Sequence, residues 1–81
     1  MPAPLKLFGQ AVRRERTLRD WTQETLAEAA DLHENYISRL ETGEQEPGLL
    51  VILKLCRAFE ITPSMLLSEF TTSVLARLQR T

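Results

Sequence analysis

The 81-residue sequence has few of the residues that build covalently or metal-stabilised domains. Cys56 is the single cysteine, which rules out an intramolecular disulfide, and His33 is the single histidine, which rules out a zinc cage made of Cys and His. Glycine occurs three times and proline four times. Glycine and proline can therefore end helices at only a few positions. The segments between them are rich in Leu, Ala, Glu, Arg and Gln, which favour helices.

The chain also lacks an excess of either charge and any long apolar segment. Ten Lys and Arg stand against eleven Asp and Glu, for a formal net charge of -1. A generally basic protein is therefore excluded, and an anionic partner must be met by a local patch. No run approaches the roughly 18 apolar residues of a membrane span, and no basic stretch precedes a long apolar one as in a signal peptide. We expect a cytoplasmic protein with no membrane association, folded as one domain over residues 1–81.

Apolar residues recur at helical spacing, and no stretch alternates as in a strand, so we predict an all-α fold. Four helices are expected at residues 4–19, 23–30, 34–42 and 48–59. A fifth starts at Thr62 and Pro63 and extends to Gln79, although the polar residues 71–73 could divide it. The inward stripe of the fourth helix is predicted to consist of Leu49, Ile52, Cys56 and Phe59.

The second and third helices are joined by a turn of only three residues, 31–33. Two short helices so connected form a helix-turn-helix if they cross steeply. Thr22 is a suitable N-cap, Asp31 tolerates the left-handed conformation of a tight turn, and Gly43 is a suitable terminator. With Ile37 and Leu40 directed into the core, the outward residues of the third helix are Glu34, Asn35, Ser38 and Arg39.

Three segments in register resemble the Cro/phage-repressor helix-turn-helix family, also called XRE. They are residues 21–27 (WTQETLA), residues 35–43 (NYISRLETG), and Pro47 with residues 49–61. The resemblance covers about residues 5–68 and implies a compact helical bundle that binds double-stranded DNA sequence-specifically and regulates transcription. The short length and apolar tail are also similar to the controller proteins of restriction–modification systems.

The resemblance implies that the third helix enters the major groove, where each base pair shows a distinct pattern of donors and acceptors. Glu34, Asn35 and Arg39 match base-contacting positions of the family. Arg pairs with the acceptors of guanine, Asn with the adenine edge, and a carboxylate with the cytosine amine. Tyr36 and Ser38 match positions suited to a phosphate or a thymine methyl group.

Other matched positions imply contacts with the DNA backbone. Gln23, at the start of the second helix, matches a phosphate-binding position, where helix amides favour an anion. Arg16 and Glu41 match a family ion pair that sets the angle of the third helix, and Arg16 can also face a phosphate. The chain departs from the family at residues 44–46 (EQE), where basic residues are frequent. This acidic loop predicts weak non-specific binding, because that binding depends on phosphate neutralisation.

Apolar residues occur at positions that are usually polar in the family, which predicts a homodimer on a palindromic operator. The predicted interface consists of Leu50, Val51, Leu53, Met65 and Val74. The C-terminal helix over residues 62–81 is expected to contribute to dimerisation. This tail also carries Phe70, Leu75 and Leu78. Alternatively, the fifth helix folds back over the fourth within one chain.

Two other functions are compatible with this fold. An antitoxin-like regulator would bind a partner protein through the apolar tail. A protein-interaction module that binds no DNA would suit the acidic loop and the near-neutral charge. An enzyme is not expected, because His33 and Cys56 fall at cap and core positions and no paired carboxylates mark a cleft. No cofactor or metal is predicted.

Overall fold

The computed structural model describes residues 3–78, and these form six α-helices without a β-strand. The helices are α1 (Pro4–Leu18), α2 (Gln23–Ala30), α3 (Glu34–Thr42), α4 (Leu49–Phe59), α5 (Pro63–Leu66) and α6 (Thr72–Leu75). The predicted all-α class is confirmed. The expected count of five helices was wrong, since the described part of the chain contains six.

The two helices of the helix-turn-helix begin and end at the expected residues. Thr22 caps α2, its hydroxyl accepting the Thr25 N–H at 3.0 Å. Asp31 adopts the left-handed conformation, with φ 56° and ψ 52°, and the Leu32 N–H then donates to the Ala27 carbonyl at 2.9 Å. Gly43 ends α3 at φ 82°. The three-residue turn is thus built by local hydrogen bonds that the sequence encodes.

The helix predicted from Thr62 is divided at residues 71–73, the alternative that the polar residues there had left open. Thr62 caps α5 as expected, but Thr71 caps a second short helix by accepting the Val74 N–H at 3.3 Å. Threonine hydroxyls compete with the helical backbone for such hydrogen bonds, so they favour a new helix start over continuation. The predicted end at Gln79 lies outside the described residues.

One buried apolar cluster draws on the first five helices. Its members are Phe8, Ala11, Val12, Leu26, Ala27, Ala30, Ile37, Leu40, Leu55, Cys56, Phe59 and Leu66. The predicted inward stripe of α4 needs one correction: Leu49 is largely exposed, whereas Leu55, outside that stripe, is fully buried. Leu49 is the first residue of α4, and its side chain is left uncovered, while Leu55 faces the core beside Cys56 and Phe59.

Gly9 allows α1 to pack closely against α3. A Cβ atom at this position would lie 2.3 Å from the Leu40 carbonyl oxygen and 2.7 Å from that of Glu41. No other residue type fits at such a distance without moving one helix. Glycine here brings α1 against the last turn of α3 and so positions the residues described next.

Candidate nucleic-acid interface

The outward side of α3 is polar, and its opposite side is buried in the apolar core. Ile37 and Leu40 are fully buried, and this fixes the rotation of the helix. The opposite side of the helix carries the exposed Glu34, Asn35 and Arg39, with the half-buried Tyr36 and Ser38 at its margins. We call these five residues the α3 ridge. The Tyr36 side chain also packs against the core.

The side chains of Asn35 and Arg39 are available for an external partner. Among residues 3–78, neither makes a side-chain hydrogen bond or an ion pair. Both side chains have several hydrogen-bonding atoms and are exposed to solvent on the helix. The structure therefore groups the predicted base-contacting residues on one surface.

Arg16 and Glu41 form the ion pair that the sequence predicts. Arg16 Nε donates to Glu41 Oε2 at 2.7 Å and Arg16 Nη2 donates to Glu41 Oε1 at 3.0 Å, a two-pronged contact between α1 and α3. The Arg16 side chain is 13% exposed and that of Glu41 is 4% exposed. The hydrogen bond to Glu41 raises the pKa of Arg16 despite the opposing effect of burial.

The same ion pair reaches the start of α2. Arg16 Nη1 donates to the Trp21 carbonyl at 2.8 Å. Gln23 Nε2 donates to Glu41 Oε1 at 3.1 Å, so the predicted phosphate-binding residue touches the last turn of α3. One carboxylate therefore connects α1, α2 and α3, and within the described residues every side-chain nitrogen of Arg16 has an acceptor.

Acidic residues lie at both ends of the ridge. Glu34 is exposed in the first turn of α3, and Glu44 and Glu46 are exposed beyond its last turn. The Thr42 hydroxyl donates to Glu44 Oε1 at 3.0 Å and keeps that carboxylate beside the helix end. The local field is therefore less favourable to phosphate than in a basic loop.

Arginines of α1 and the arginine that follows its last residue have partners within the fold. Arg14 forms an ion pair with Glu69, which lies in the segment between α5 and α6. Arg19 donates to the Phe59 carbonyl at 2.8 Å, and its guanidinium lies 4.8 Å from the centroid of the Phe59 ring. Trp21 packs against the core and stacks on the same ring, with the two centroids 5.9 Å apart. Of these side-chain contacts, the sequence could have indicated only the ion pair between Glu15 and Arg19, because those residues are four positions apart on a helix.

The predicted dimer residues divide into two groups. Leu50, Leu53 and Met65 are exposed, whereas Val51 and Val74 are half-buried, with Val51 against the core. Leu49 adds to the exposed group. We call Leu49, Leu50, Leu53 and Met65 the apolar patch.

The part of the chain from residue 3 to residue 78 has neither a metal-binding cluster nor a membrane-spanning helix. No group of three or more His, Cys, Asp or Glu residues there could hold a metal ion. No helix in this part of the chain has the length and apolar character required to cross a bilayer.

Comparison with known proteins identifies the fold. The family model described as Helix-turn-helix matches residues 12–66, which include α2, the turn and α3. The chain belongs to the XRE-type helix-turn-helix family. Members of this family are DNA-binding transcription regulators.

Individual XRE-type proteins are similar over most of their length. Control protein C.BamHI from Bacillus amyloliquefaciens is 43% identical over 67 residues, or 82% of each chain. The crystal structure of the restriction-modification controller protein C.AhdI from Aeromonas hydrophila has 40% identity and a TM-score of 0.77, covering 80% of this chain and 98% of that one. The clp gene regulator ClgR from Corynebacterium glutamicum has 28% identity and a TM-score of 0.80, covering 94% of this chain and 81% of that one.

Proposed function

We propose that this protein is a transcriptional controller of a restriction–modification system, which binds a palindromic operator as a homodimer through the major groove. The observation that carries the proposal is the exposed α3 ridge above the buried Ile37 and Leu40. The similarity to C.BamHI and C.AhdI supports the biological context, since both are named as controllers.

The chemistry of the ridge suits base recognition. A B-DNA major groove about 12 Å wide admits one helix. Asn35 would pair with adenine, Arg39 with guanine and Glu34 with the cytosine amine, because their donors and acceptors match those base edges. Tyr36 and Ser38, being half-buried at the sides of the ridge, suit a thymine methyl group or a phosphate.

Gln23 and Arg16 would serve the DNA backbone in different ways. Gln23 begins α2, where unpaired amides and the helix dipole favour an anion. Arg16 is already satisfied by Glu41 and Trp21, so its main contribution would be to hold α2 and α3 at a fixed angle. Any Arg16 contact with phosphate would use the N–H groups that remain on its terminal nitrogens.

Dimerisation would be provided by the apolar patch. Leu49, Leu50 and Leu53 lie at i, i+1 and i+4, on one side of α4, and α5 packs against α4. Covering each leucine would contribute about 1.5–3 kcal/mol before the costs of association. A two-fold dimer would place the two α3 helices about 34 Å apart, so that they reach successive major grooves of an inverted repeat.

The acidic surroundings of the ridge support specificity rather than general affinity. Glu34, Glu44 and Glu46 would reduce the attraction of any DNA to this face. Tight binding would then require correct base contacts and two linked reading helices. A controller with this balance would leave most genomic DNA free and respond steeply to its own concentration.

Selection of bound duplexes from random DNA tests the proposal, with sedimentation measured on the same protein. The expected result is an inverted repeat with half-site centres about 10 base pairs apart, bound by a dimer. Recovery of a single half-site by a monomer would overturn the dimeric part. Failure to retain any duplex at low salt would overturn DNA binding and favour the protein-interaction alternative, which co-purification of a partner would then support.

A further inference from the structure

Glu41 has more contacts than an ion pair with Arg16 requires. Its Oε2 is taken by Arg16, but its Oε1 accepts from Arg16 Nη2 at 3.0 Å and from Gln23 Nε2 at 3.1 Å. The carboxylate is nearly inaccessible to water and sits in the last turn of α3. It therefore fixes a side chain of α2 from the far end of the reading helix.

This contact decides which way the Gln23 amide faces. A carboxylate accepts hydrogen bonds and donates none, so only the NH₂ group of Gln23 can point toward Glu41. One of its two N–H groups is used there, and the other remains on the same nitrogen. If the amide were rotated by 180°, its carbonyl oxygen would face the Glu41 carboxylate, which is electrostatically unfavourable.

We propose that Glu41 is a positioning residue for DNA binding, which holds the Gln23 amide so that its second N–H is presented to a backbone phosphate. The inference rests on the proposed function and adds a residue that would not itself touch DNA. Arg16 makes the arrangement compatible with an anion nearby, because its guanidinium offsets the charge of Glu41 at a two-pronged contact. The start of α2 and the end of α3 would thereby bind DNA as one unit.

The test uses the best duplex from the random-DNA selection and a series in which each phosphate near α2 is replaced singly by a neutral methylphosphonate. For the unmodified protein, one replacement should weaken binding about tenfold, the loss expected for one hydrogen bond to a charged group. In Gln23→Ala, that same replacement should have little effect. In Glu41→Gln it should lose most of its effect too, since an amide in place of the carboxylate both donates and accepts and no longer dictates the orientation of Gln23.

A matched pair of variants separates positioning from simple stability. Arg16→Lys keeps the Glu41 carboxylate that faces Gln23 but loses the two-pronged contact, whereas Glu41→Gln loses the carboxylate itself, so both variants should lower the unfolding midpoint. If Glu41 acted only through stability, both variants would lose the methylphosphonate effect alike. Retention of the effect in Arg16→Lys together with its loss in Glu41→Gln is the result expected here.

The unaltered protein provides a readout that does not depend on any variant folding. In NMR spectra of the Gln23 side-chain amide, addition of the duplex should shift one of the two protons strongly and leave the other near its free position. Two results would overturn the proposal: full methylphosphonate sensitivity in Glu41→Gln, or a shift of both protons that shows release of Glu41. If no duplex is recovered in the selection, it is the proposed function that fails, which is a different outcome.

Discussion

Arg39 and Ile37 stand two residues apart on α3 and have opposite surroundings. Ile37 is fully buried and holds the helix in the core, while Arg39 is exposed and makes no side-chain hydrogen bond or ion pair within residues 3–78. A residue of the first kind determines stability, and one of the second kind is free to determine recognition. The two roles can therefore be separated by substitution.

Replacing Arg39 by alanine should weaken binding to the selected duplex by about 1–3 kcal/mol and relax discrimination at one base pair. The reason is the loss of a two-pronged contact with guanine, with no loss of packing. Fluorescence anisotropy with the selected duplex and its single-base variants measures both effects. Arg57→Ala, an exposed arginine on α4, is the control and should bind as the parent does. Unchanged affinity in Arg39→Ala would exclude the groove assignment of α3.

The helices meet through contacts that give single residues control over their relative placement. α1 lies on α3 at Gly9, and the segment after α5 is tied to α1 by the Arg14–Glu69 ion pair. The first contact is steric and involves backbone, while the second is electrostatic and partly exposed to water. They should respond to different perturbations.

Gly9→Ala is expected to destabilise the fold by about 1–3 kcal/mol, the cost of overpacking. In an isolated helix the same change would stabilise by about 1 kcal/mol, because alanine is the better helix former. The sign reverses here because the new methyl group would meet the Leu40 carbonyl at 2.3 Å. Urea unfolding measures the difference, with Gly48→Ala as control, since a Cβ there has nothing within 4 Å. A stabilised Gly9→Ala would mean that α1 and α3 are not in close contact.

Glu69 should make stability depend on acidity below about pH 4.5. Burial acts to raise the pKa of Glu69, but hydrogen bonds, chiefly from Arg14, outweigh it and bring the pKa below its ordinary 4.5. A lowered pKa in the folded state means a stabilising contribution that is complete above 4.5 and is lost as the pH falls through the folded-state value.

Glu69→Gln should therefore lower the free energy of unfolding at neutral pH by less than about 1 kcal/mol, since the pair is partly exposed. The difference from the parent should shrink as the pH drops from 5 toward 3. Thermal unfolding across that range checks it. A difference that stays constant with pH would show that the pair contributes no charge-dependent stability.

At the scale of the molecule, several large apolar side chains within residues 3–78 are exposed to solvent. A domain of this size buries only about 60% of the surface of its unfolded chain, so association is a common source of further stability. The exposed leucines of α4 are concentrated on one side of that helix. Leu18 is the single leucine of α1 that is equally exposed. This contrast provides a test of which surface is the interface.

Leu50→Glu should convert dimers into monomers and weaken operator binding, because the new carboxylates would be desolvated at the interface. Sedimentation velocity measures the first effect and anisotropy the second. Leu18→Glu is the matched control, as Leu18 is 71% exposed and Leu50 66%. A dimer that survives Leu50→Glu, or that is lost equally in Leu18→Glu, would place the interface elsewhere.

Local chemistry explains why much of the fold was predictable from the sequence. Thr22, Asp31 and Gly43 act through hydrogen bonds and backbone conformations within a few residues, so their positions alone indicate where α2 and α3 begin or end. The spacing of Ile37 and Leu40 likewise fixes the buried side of α3. The residues of the α3 ridge could then be predicted as those that lie on the other side of this helix. The two-part tail was less predictable, because the Thr71 cap competes closely with helix continuation.

The sequence by itself determined the all-α class, the helix-turn-helix and the composition of the ridge, since these depend on short-range periodicity and capping. The tertiary structure decided which residues distant in the chain meet. Glu41 contacts Gln23 and Arg19 contacts the Phe59 carbonyl only because packing brings those helices together. Leu49 became exposed and Leu55 buried for the same reason: helical spacing defines a face, but the neighbouring helices determine how much of that face is covered.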